Sequence, residues 1–188
     1  MCGNISLEEQ ADAYSQQGMV TDAINAYTAA LSCDPSNVQL YLKRARLYAN
    51  DSQMRQAIAD YTTAIQLQPD LATAYKERGE IYRGRSQYDS AISDLQQATQ
   101  LQPDEETYIE LANAYLALQD HSSAYDAATR AITLAPNDSY AYYLRGLIYD
   151  GTGDRAQAIS DVQKALAIGL RSDMQYFAEI LLKRLQDK

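Results

Sequence analysis

The sequence is poor in the residues that metal sites, disulfide frameworks and phosphate-binding faces require. Of its 188 residues only Cys2 and Cys33 are cysteines, and their separation matches neither a metal-ligand motif nor a set of bridges. The 16 Lys and Arg residues are spread among 25 Asp and Glu residues, so the net charge is −9 and nucleic acid is a poor partner. We therefore expect no metal, no cofactor and no nucleic-acid partner, and the two thiols favour a reducing compartment.

Long apolar runs are absent as well. No stretch approaches the roughly 20 residues of a membrane-spanning helix, and no charged start precedes the apolar segment that a signal peptide has. These absences favour a cytoplasmic protein. One alternative stays open: mature bacterial lipoproteins begin with a lipidated cysteine, so a trimmed chain starting at Cys2 would be a periplasmic or outer-membrane lipoprotein.

Residues suited to catalysis are equally few. His121 is the only histidine, and the pattern places it in a turn with no Ser or Cys nucleophile at matching positions. The carboxylate pairs Glu8–Glu9 and Glu105–Glu106 are expected at helix starts, where they complement the helix dipole. We predict that the chain is not an enzyme and has no small-molecule substrate.

Proline is scarce, yet its four copies are spaced almost evenly. They stand at positions 35, 69, 103 and 136, so the intervals are 34, 34 and 33 residues. Because proline cannot continue a helix interior, this spacing predicts recurring helix boundaries. Tyrosine and alanine recur with the same period, at Tyr14, Tyr48, Tyr82, Tyr115 and Tyr149, at Ala23, Ala57, Ala91, Ala124 and Ala158, and at Ala30, Ala64, Ala98, Ala131 and Ala165.

Each period predicts two helices. In the second period, Tyr41, Ala45 and Tyr48 make one helical stripe, the apolar residues of 57–65 make another, and the polar segment 50–53 separates them. One position of the first helix holds only Ala or Gly, which predicts that packing requires a small side chain there. Its occupants are Ala11, Ala45, Gly79, Ala112 and Gly146.

This grid resembles the tetratricopeptide repeat, a 34-residue helix–turn–helix unit. Its signature is an aromatic at position 4, a small residue at 8, Tyr at 11, Ala at 20, an aromatic at 24, Ala at 27 and Pro at 32. The resemblance implies an all-α fold, a right-handed superhelical solenoid of antiparallel helix pairs with eleven helices. It implies repeats at 4–37, 38–71, 72–104, 105–138 and 139–172, and a capping helix at 173–188. The second repeat matches throughout, with Tyr41, Ala45, Tyr48, Ala57, Tyr61, Ala64 and Pro69.

The segment after the last repeat predicts a helix that closes the array. It begins behind Ser172, a candidate N-cap. We expect its apolar side to face the last repeat and its polar side to face water, as the end of a repeat array requires. The expected buried face comprises Met174, Phe177, Ala178, Leu181 and Leu185.

In this family the first helices of successive repeats line a concave surface, so the resemblance also implies a binding groove. The implied groove is acidic at its start, basic in the middle, and apolar and aromatic at its end, which suits an extended peptide or a partner helix. Lys76 and Arg83 are expected to be exposed. Tyr140, Tyr143 and Leu147 are expected to receive a hydrophobic partner residue or the partner chain of a dimer, unless the C-terminal helix folds over them. The implied groove residues are Glu8, Asp12, Arg46, Asn50, Lys76, Glu80, Arg83, Ile109, Asn113, Leu116, Tyr140, Tyr143 and Leu147.

The resemblance does not extend to the subfamily that binds the acidic C-termini of heat-shock chaperones. That subfamily needs a clamp of Lys and Asn on one repeat, Asn on the next, and Lys and Arg on the third. No three successive repeats supply it; the first three offer Glu8, Asp12, Lys43, Thr73 and Glu77. We predict a scaffold for another protein or peptide. The alternative is a structural or self-associating subunit of a larger assembly.

Comparison of the repeats with one another predicts a set of ion pairs. Three repeats have Arg at position 7 and Asp at position 23, whereas the other two have neither residue. We expect each Arg to bind the Asp of its own repeat through two parallel hydrogen bonds, which would tie its two helices together. The expected pairs are Arg44–Asp60, Arg78–Asp94 and Arg145–Asp161.

Overall fold

The computed structural model of the chain describes residues 6–187, which form helices joined by short turns. The predicted all-α fold is confirmed, because this range contains eleven helices and no strand. In chain order the helices are α1 (Ser6–Gln16), α2 (Val20–Cys33), α3 (Val38–Asn50), α4 (Met54–Leu67), α5 (Ala72–Gly84), α6 (Tyr88–Leu101), α7 (Glu105–Ala117), α8 (His121–Leu134), α9 (Ser139–Thr152), α10 (Arg155–Ile168) and α11 (Ser172–Gln186).

The helices fall into two compact units, one ending at Arg85 and the other beginning at Ser86. The first unit holds the hairpins α1–α2 and α3–α4 and the helix α5. The second holds α6, the hairpins α7–α8 and α9–α10, and α11. Because the division falls between the two helices of the third expected repeat, the repeat boundaries stay a prediction.

Small residues let the two helices of a hairpin approach each other closely. Gly146 on α9 demonstrates this, because a Cβ atom there would lie 2.8 Å from Cγ2 of Val162 on α10. Ala11, Ala45 and Ala112, at the same position of the period, are fully buried. The predicted need for a small side chain is therefore confirmed at these four positions.

Side-chain caps begin several of the first helices. Asn37 caps α3, Asp104 caps α7 and Asp138 caps α9, each by accepting a hydrogen bond from a backbone N–H of the first turn. Helix α11 begins at Ser172 itself, because the extended backbone stands one residue earlier, at Arg171, whose side chain makes no capping bond. The prediction that Ser172 is the N-cap is therefore wrong by one residue.

Helix α11 buries a narrower face than the sequence predicts. Ala178, Leu181 and Leu185 pack in one cluster with residues of α9 and α10, as expected. Phe177, which was expected on the same face, is 56% exposed. It lies about 100° around the helix from Ala178, so the narrow contact with the last hairpin does not reach it. The prediction of a buried Phe177 and a wholly polar outer face is wrong.

Two observations bear on the surroundings of the protein. None of the described helices is both long enough and apolar enough to cross a membrane. Cys33, the last residue of α2, is disulfide-bonded. The other cysteine of the sequence, Cys2, lies outside the described residues, and so does the lipid-attachment alternative that rests on it.

A left-handed residue recurs in the turn between paired helices. Gly153 has a φ of 84° and nothing lies within 4 Å of the place where its Cβ would stand. The equivalent turn residues are Gly18 at 73°, Ser52 at 59°, Ser86 at 58° and Gln119 at 60°. A residue other than glycine is less stable in this conformation, yet three of the five turns have such a residue there.

Replacement of Gly153 by Ala is expected to lower the free energy of unfolding by about 1 kcal/mol, because the left-handed backbone disfavours a Cβ. The matched control is Gly84→Ala, since Gly84 is equally uncrowded and is not among the left-handed residues. Urea unfolding followed by circular dichroism measures both. Equal stability of the two variants would contradict the assignment of the cost to backbone conformation.

Candidate functional site

In the first unit, two acidic residues of the implied groove are held by a lysine of the next repeat. Nζ of Lys43 on α3 lies 2.9 Å from Oε1 of Glu8 and 2.8 Å from Oδ2 of Asp12, both on α1. The hydroxyl of Tyr27, on α2, donates a hydrogen bond to Asp12. Three helices therefore meet at the Asp12 carboxylate, which remains partly accessible to water.

The same arrangement recurs one repeat later with the charges exchanged. Nη2 of Arg46 on α3 lies 2.8 Å from Oε1 of Glu77 on α5. Tyr61 on α4 is 2% exposed and its hydroxyl is hydrogen-bonded to Glu77. The Arg46 side chain is 49% exposed, so its guanidinium is both fixed by Glu77 and open to a ligand.

These two clusters form a ladder along the first helices of the first unit. In the first rung the residue at repeat position 9 is acidic and its partner at position 6 of the next repeat is basic, whereas the second rung has the opposite order. In both rungs a tyrosine at position 24 reaches the carboxylate. We call this set the charge ladder; it comprises Asp12, Lys43 and Tyr27, and Arg46, Glu77 and Tyr61.

Electrostatics favour the charged form of Asp12 and the neutral form of the two tyrosines in the charge ladder. Burial alone would raise the pKa of Asp12, but its hydrogen bonds with Lys43 and Tyr27 lower the pKa below its ordinary value. Burial, reinforced by a neighbouring carboxylate, raises the pKa of both Tyr27 and Tyr61 above the ordinary value. Asp12 therefore carries its charge and both tyrosines keep the proton that they donate.

The remaining implied groove residues of the first unit divide into two kinds. Asn50, the last residue of α3, is exposed. Lys76, Glu80 and Arg83 on α5 are only partly exposed, and each makes a polar or electrostatic contact. Lys76 and Arg83 were expected to be exposed and are only partly so, because these long side chains also contact other groups of the protein.

In the second unit the apolar end of the implied groove is largely closed. Ile109 is 8% exposed and Tyr143 is 7% exposed. Tyr140 and Leu147 are partly buried, and they pack against the cluster that also contains Ala178 of α11. The expectation of an open patch at these residues is wrong, because the C-terminal helix packs in the same apolar cluster.

Polar groups on this face of the second unit are also occupied. The Tyr140 hydroxyl donates to Oδ1 of Asn113 on α7, at 3.3 Å. Leu116, one turn further along α7, is partly exposed. The second unit therefore offers a smaller accessible surface on its first helices than the sequence suggested.

Two of the three predicted intra-repeat ion pairs are confirmed. Nε and Nη2 of Arg44 lie 2.7 and 2.8 Å from the two carboxylate oxygens of Asp60. The corresponding distances between Arg145 and Asp161 are 2.6 and 3.0 Å. The third pair would join residues of different units and stays a prediction. These arginines tie hairpins together and do not form a basic binding surface.

The arginine of each pair also lies between two tyrosines of its own helix, which the sequence reasoning missed. The Arg44 guanidinium is 5.7 Å from the ring centre of Tyr41 and 5.8 Å from that of Tyr48. It donates a further hydrogen bond to Thr28 of the preceding hairpin, at 2.9 Å. The signal was available, since positions 4 and 11 hold tyrosine in every repeat with this arginine: Tyr41 and Tyr48, Tyr75 and Tyr82, and Tyr142 and Tyr149.

His121 does not lie in the turn where the sequence pattern placed it. It is the first residue of α8, and its ring lies against α9, where a Cβ on Gly151 would be 2.6 Å from Cε1. The ring borders an open cavity of about 340 Å³ that Tyr125 and Tyr149 also line. The lining contains no carboxylate that could orient the imidazole as a base. The part of the chain that the structure describes also contains no cluster of metal-binding side chains.

Comparisons with known proteins agree with this architecture. A tetratricopeptide repeat model matches residues 42–106 and 109–174, and a TPR repeat model matches residues 11–52. Two crystal structures of MamA are 30% and 29% identical to this chain, with TM-scores of 0.81 and 0.83. The match with the first spans 84% of this chain and 93% of that MamA chain. The match with the second spans 86% of this chain and 89% of that MamA chain.

A further solved structure shares the fold at lower identity. YrrB, described as a TPR protein with an unusual peptide-binding site, is 19% identical, has a TM-score of 0.83, and covers 95% of this chain and 92% of its own. No curated protein has significant sequence similarity.

Replacement of Asp161 by Ala is expected to lower the free energy of unfolding by about 3 kcal/mol, because it leaves the largely buried Arg145 guanidinium without a carboxylate. The control is the double variant Arg145→Leu with Asp161→Ala, which reproduces the fourth repeat, where Leu111 and Ala127 are both buried. The double variant is expected to recover at least half of the loss in urea unfolding. Equal loss in both variants would show that the ion pair is not the source of the stability.

Proposed function

The chain belongs to the tetratricopeptide repeat family, and from this we propose that it is a protein-interaction scaffold that binds an extended peptide or a partner helix on the face of its first helices. The observation that carries the proposal is the charge ladder, which holds charged groups of both signs on α1, α3 and α5. Surfaces of this kind suit polar, directional recognition of an extended segment.

Preorganisation is the physical advantage of the charge ladder for binding. A free lysine or arginine loses side-chain entropy when it is immobilised by a ligand, whereas Lys43 and Arg46 are already held by carboxylates. Each pair remains partly open to water, so a guanidinium or carboxylate has further hydrogen-bonding capacity for a partner. The exposed amide of Asn50 can bind the backbone of an extended segment.

The proposed site is narrower than the groove implied by the sequence. In the first unit it retains Glu8, Asp12, Arg46 and Asn50, with the partly exposed charges of α5 beside them. Ile109 and Tyr143 drop out because they are buried. In the second unit the accessible part is reduced to α7 near Asn113 and Leu116, and to the rim formed by Tyr140 and Leu147.

The arrangement also supports a partner other than an acidic chaperone tail. A carboxylate clamp needs several basic and amide groups free to converge on one terminal carboxylate. In the charge ladder each basic group already has an acidic neighbour, so Lys43 and Arg46 offer no concentrated positive field. We propose that the partner carries interspersed charges of both signs.

The compartment is a separate part of the proposal. The disulfide at Cys33 supports an oxidising compartment rather than the reducing one favoured by the cysteine count. The lipoprotein alternative rests on Cys2, which lies outside the described residues.

The thiol state of Cys33 tests the compartment. Cys33 is on an exposed part of the surface, so a free thiol there would react readily with iodoacetamide. In protein isolated without reductant we expect no labelling of the Cys33 peptide by mass spectrometry, and full labelling after reduction. Labelling before reduction would support a reduced thiol and the cytoplasmic alternative.

The binding site is tested by exchanging the charges of one rung, Arg46→Glu together with Glu77→Arg. The exchange is expected to change the free energy of unfolding by less than about 0.5 kcal/mol, because it reproduces the order of Asp12 and Lys43. A partner that contacts this rung should bind about tenfold more weakly or worse, because its charges now meet groups of the same sign.

The control for the exchange is Arg171→Glu, since Arg171 is 82% exposed and lies on a turn far along the chain from the charge ladder. Proteins that both the wild type and this control capture from the native lysate should not be captured by the variant with the exchanged rung. Retention of the same proteins by all three chains would place the binding site elsewhere.

A further inference from the structure

Helix α11 presents an apolar stripe to solvent. Tyr176 is 62% exposed, Phe177 56% and Ile180 49%, and the rings of Tyr176 and Phe177 are in edge contact with centres 5.8 Å apart. The helical spacing of these residues puts them on one side of α11, away from the side that Ala178 and Leu181 bury. An exposed stripe of three large apolar side chains at the end of the array indicates a contact surface.

The repeat period explains why this side of α11 is apolar. If the period is continued past residue 172, Tyr176 takes the position held by Tyr142 in the fifth repeat, and Ile180 takes the position of Gly146. In the hairpin α9–α10 the second helix covers that side of the first. Among residues 6–187 no helix covers α11 in this way, and the side chains on the corresponding side are exposed.

Ile180 also restricts what can cover the stripe. At Gly146 a single added Cβ would lie 2.8 Å from Val162, so a repeat-type second helix needs a small residue at this position. Ile180 puts a branched side chain there, and such a helix would clash with it. The stripe therefore suits a helix that packs at a greater distance, with large side chains interdigitating.

The charges at the two ends of the stripe are complementary to each other. Asp173 lies at the N-terminal end and Arg184 at the C-terminal end, on the same side of the helix as Phe177 and Ile180. The midpoint of Asp173 and Arg184 in the sequence is also the midpoint of Phe177 and Ile180. A second α11 laid antiparallel over the first would therefore place Phe177 opposite Ile180 and Asp173 opposite Arg184, twice over.

We propose that two copies of this chain associate through antiparallel α11 helices related by a two-fold axis between Phe177 and Ile180. The contact is isologous, so every favourable pair occurs twice. The Arg184 guanidinium, which bonds Asp150 of its own chain, has further N–H groups for Asp173 of the second copy. Because one helix face buries far less than the roughly 1,600 Å² of a standard interface, the dimer is weak and reversible.

The first test is the concentration dependence of the molecular mass. Sedimentation equilibrium of the full chain, with reductant present to exclude dimers formed by oxidation, should show a shift from 21.0 kDa towards twice that mass between about 10 µM and 1 mM. Phe177→Glu should weaken the association about tenfold or more. The matched control is Leu134→Glu at the end of α8. Leu134 is 49% exposed, close to the 56% of Phe177, and its replacement should leave the association unchanged.

The second test distinguishes a two-fold α11 contact from any other self-association. Asp173→Arg places basic residues opposite Arg184, and Arg184→Asp places acidic residues opposite Asp173, so each variant alone should be monomeric. An equimolar mixture of the two should dimerise, because both cross-pairs are again of opposite sign. Circular dichroism of each variant checks that α11 is still folded.

Three outcomes would overturn the proposal. A wild-type chain that remains monomeric at 1 mM would leave the stripe to a helix of a different protein. Association that survives Phe177→Glu would place the dimer contact elsewhere. Failure of the mixed charge variants to dimerise, with both folded, would exclude the antiparallel register. Because the exchange of Arg46 and Glu77 does not touch α11, loss of partner binding in that variant and loss of the dimer here are separable.

Discussion

The close approach of paired helices at one small residue per repeat is the constraint on which the rest of the structure depends. Where Gly146 faces Val162 there is no room for a Cβ, and the equivalent alanines are fully buried. This contact brings the two helices near enough for Arg145 on one to bind Asp161 on the other with both nitrogens. With a larger side chain at this position the helices would separate, and the ion pair and the tyrosines around it would lose their geometry.

Charge in this protein is used first for cohesion. Arg44 joins its own hairpin through Asp60 and the preceding hairpin through Thr28, while two tyrosines enclose its guanidinium. The charge ladder does the same between α1 and α3 and between α3 and α5. What remains for a partner is the exposed part of groups whose positions the fold has already set, and this favours specificity over a large gain in affinity.

The helices, the small-residue positions and the intra-repeat pair at Arg44 could be predicted because each recurs with the 34-residue period. The charge ladder could not be found by comparing like positions, since Asp12 and Arg46 occupy the same place with opposite signs. Its signal was the pairing of position 9 with position 6 of the next repeat. The depth of Tyr143 and the exposure of Phe177 depend on how α11 packs, and this is decided by tertiary contacts that the period does not contain.

The reversal of sign between the two rungs has a consequence for folding. Repeat proteins are prone to misassembly because neighbouring units present nearly identical surfaces. If the first hairpin skipped the second and docked on the helix of the third, Asp12 would meet Glu77, and the buried tyrosine would find two carboxylates where the native rung has a carboxylate and a cation. The carboxylate of Asp12 therefore favours the helix that carries Lys43 over the helix that carries Glu77, so the reversed sign helps the first hairpin to dock on its native neighbour.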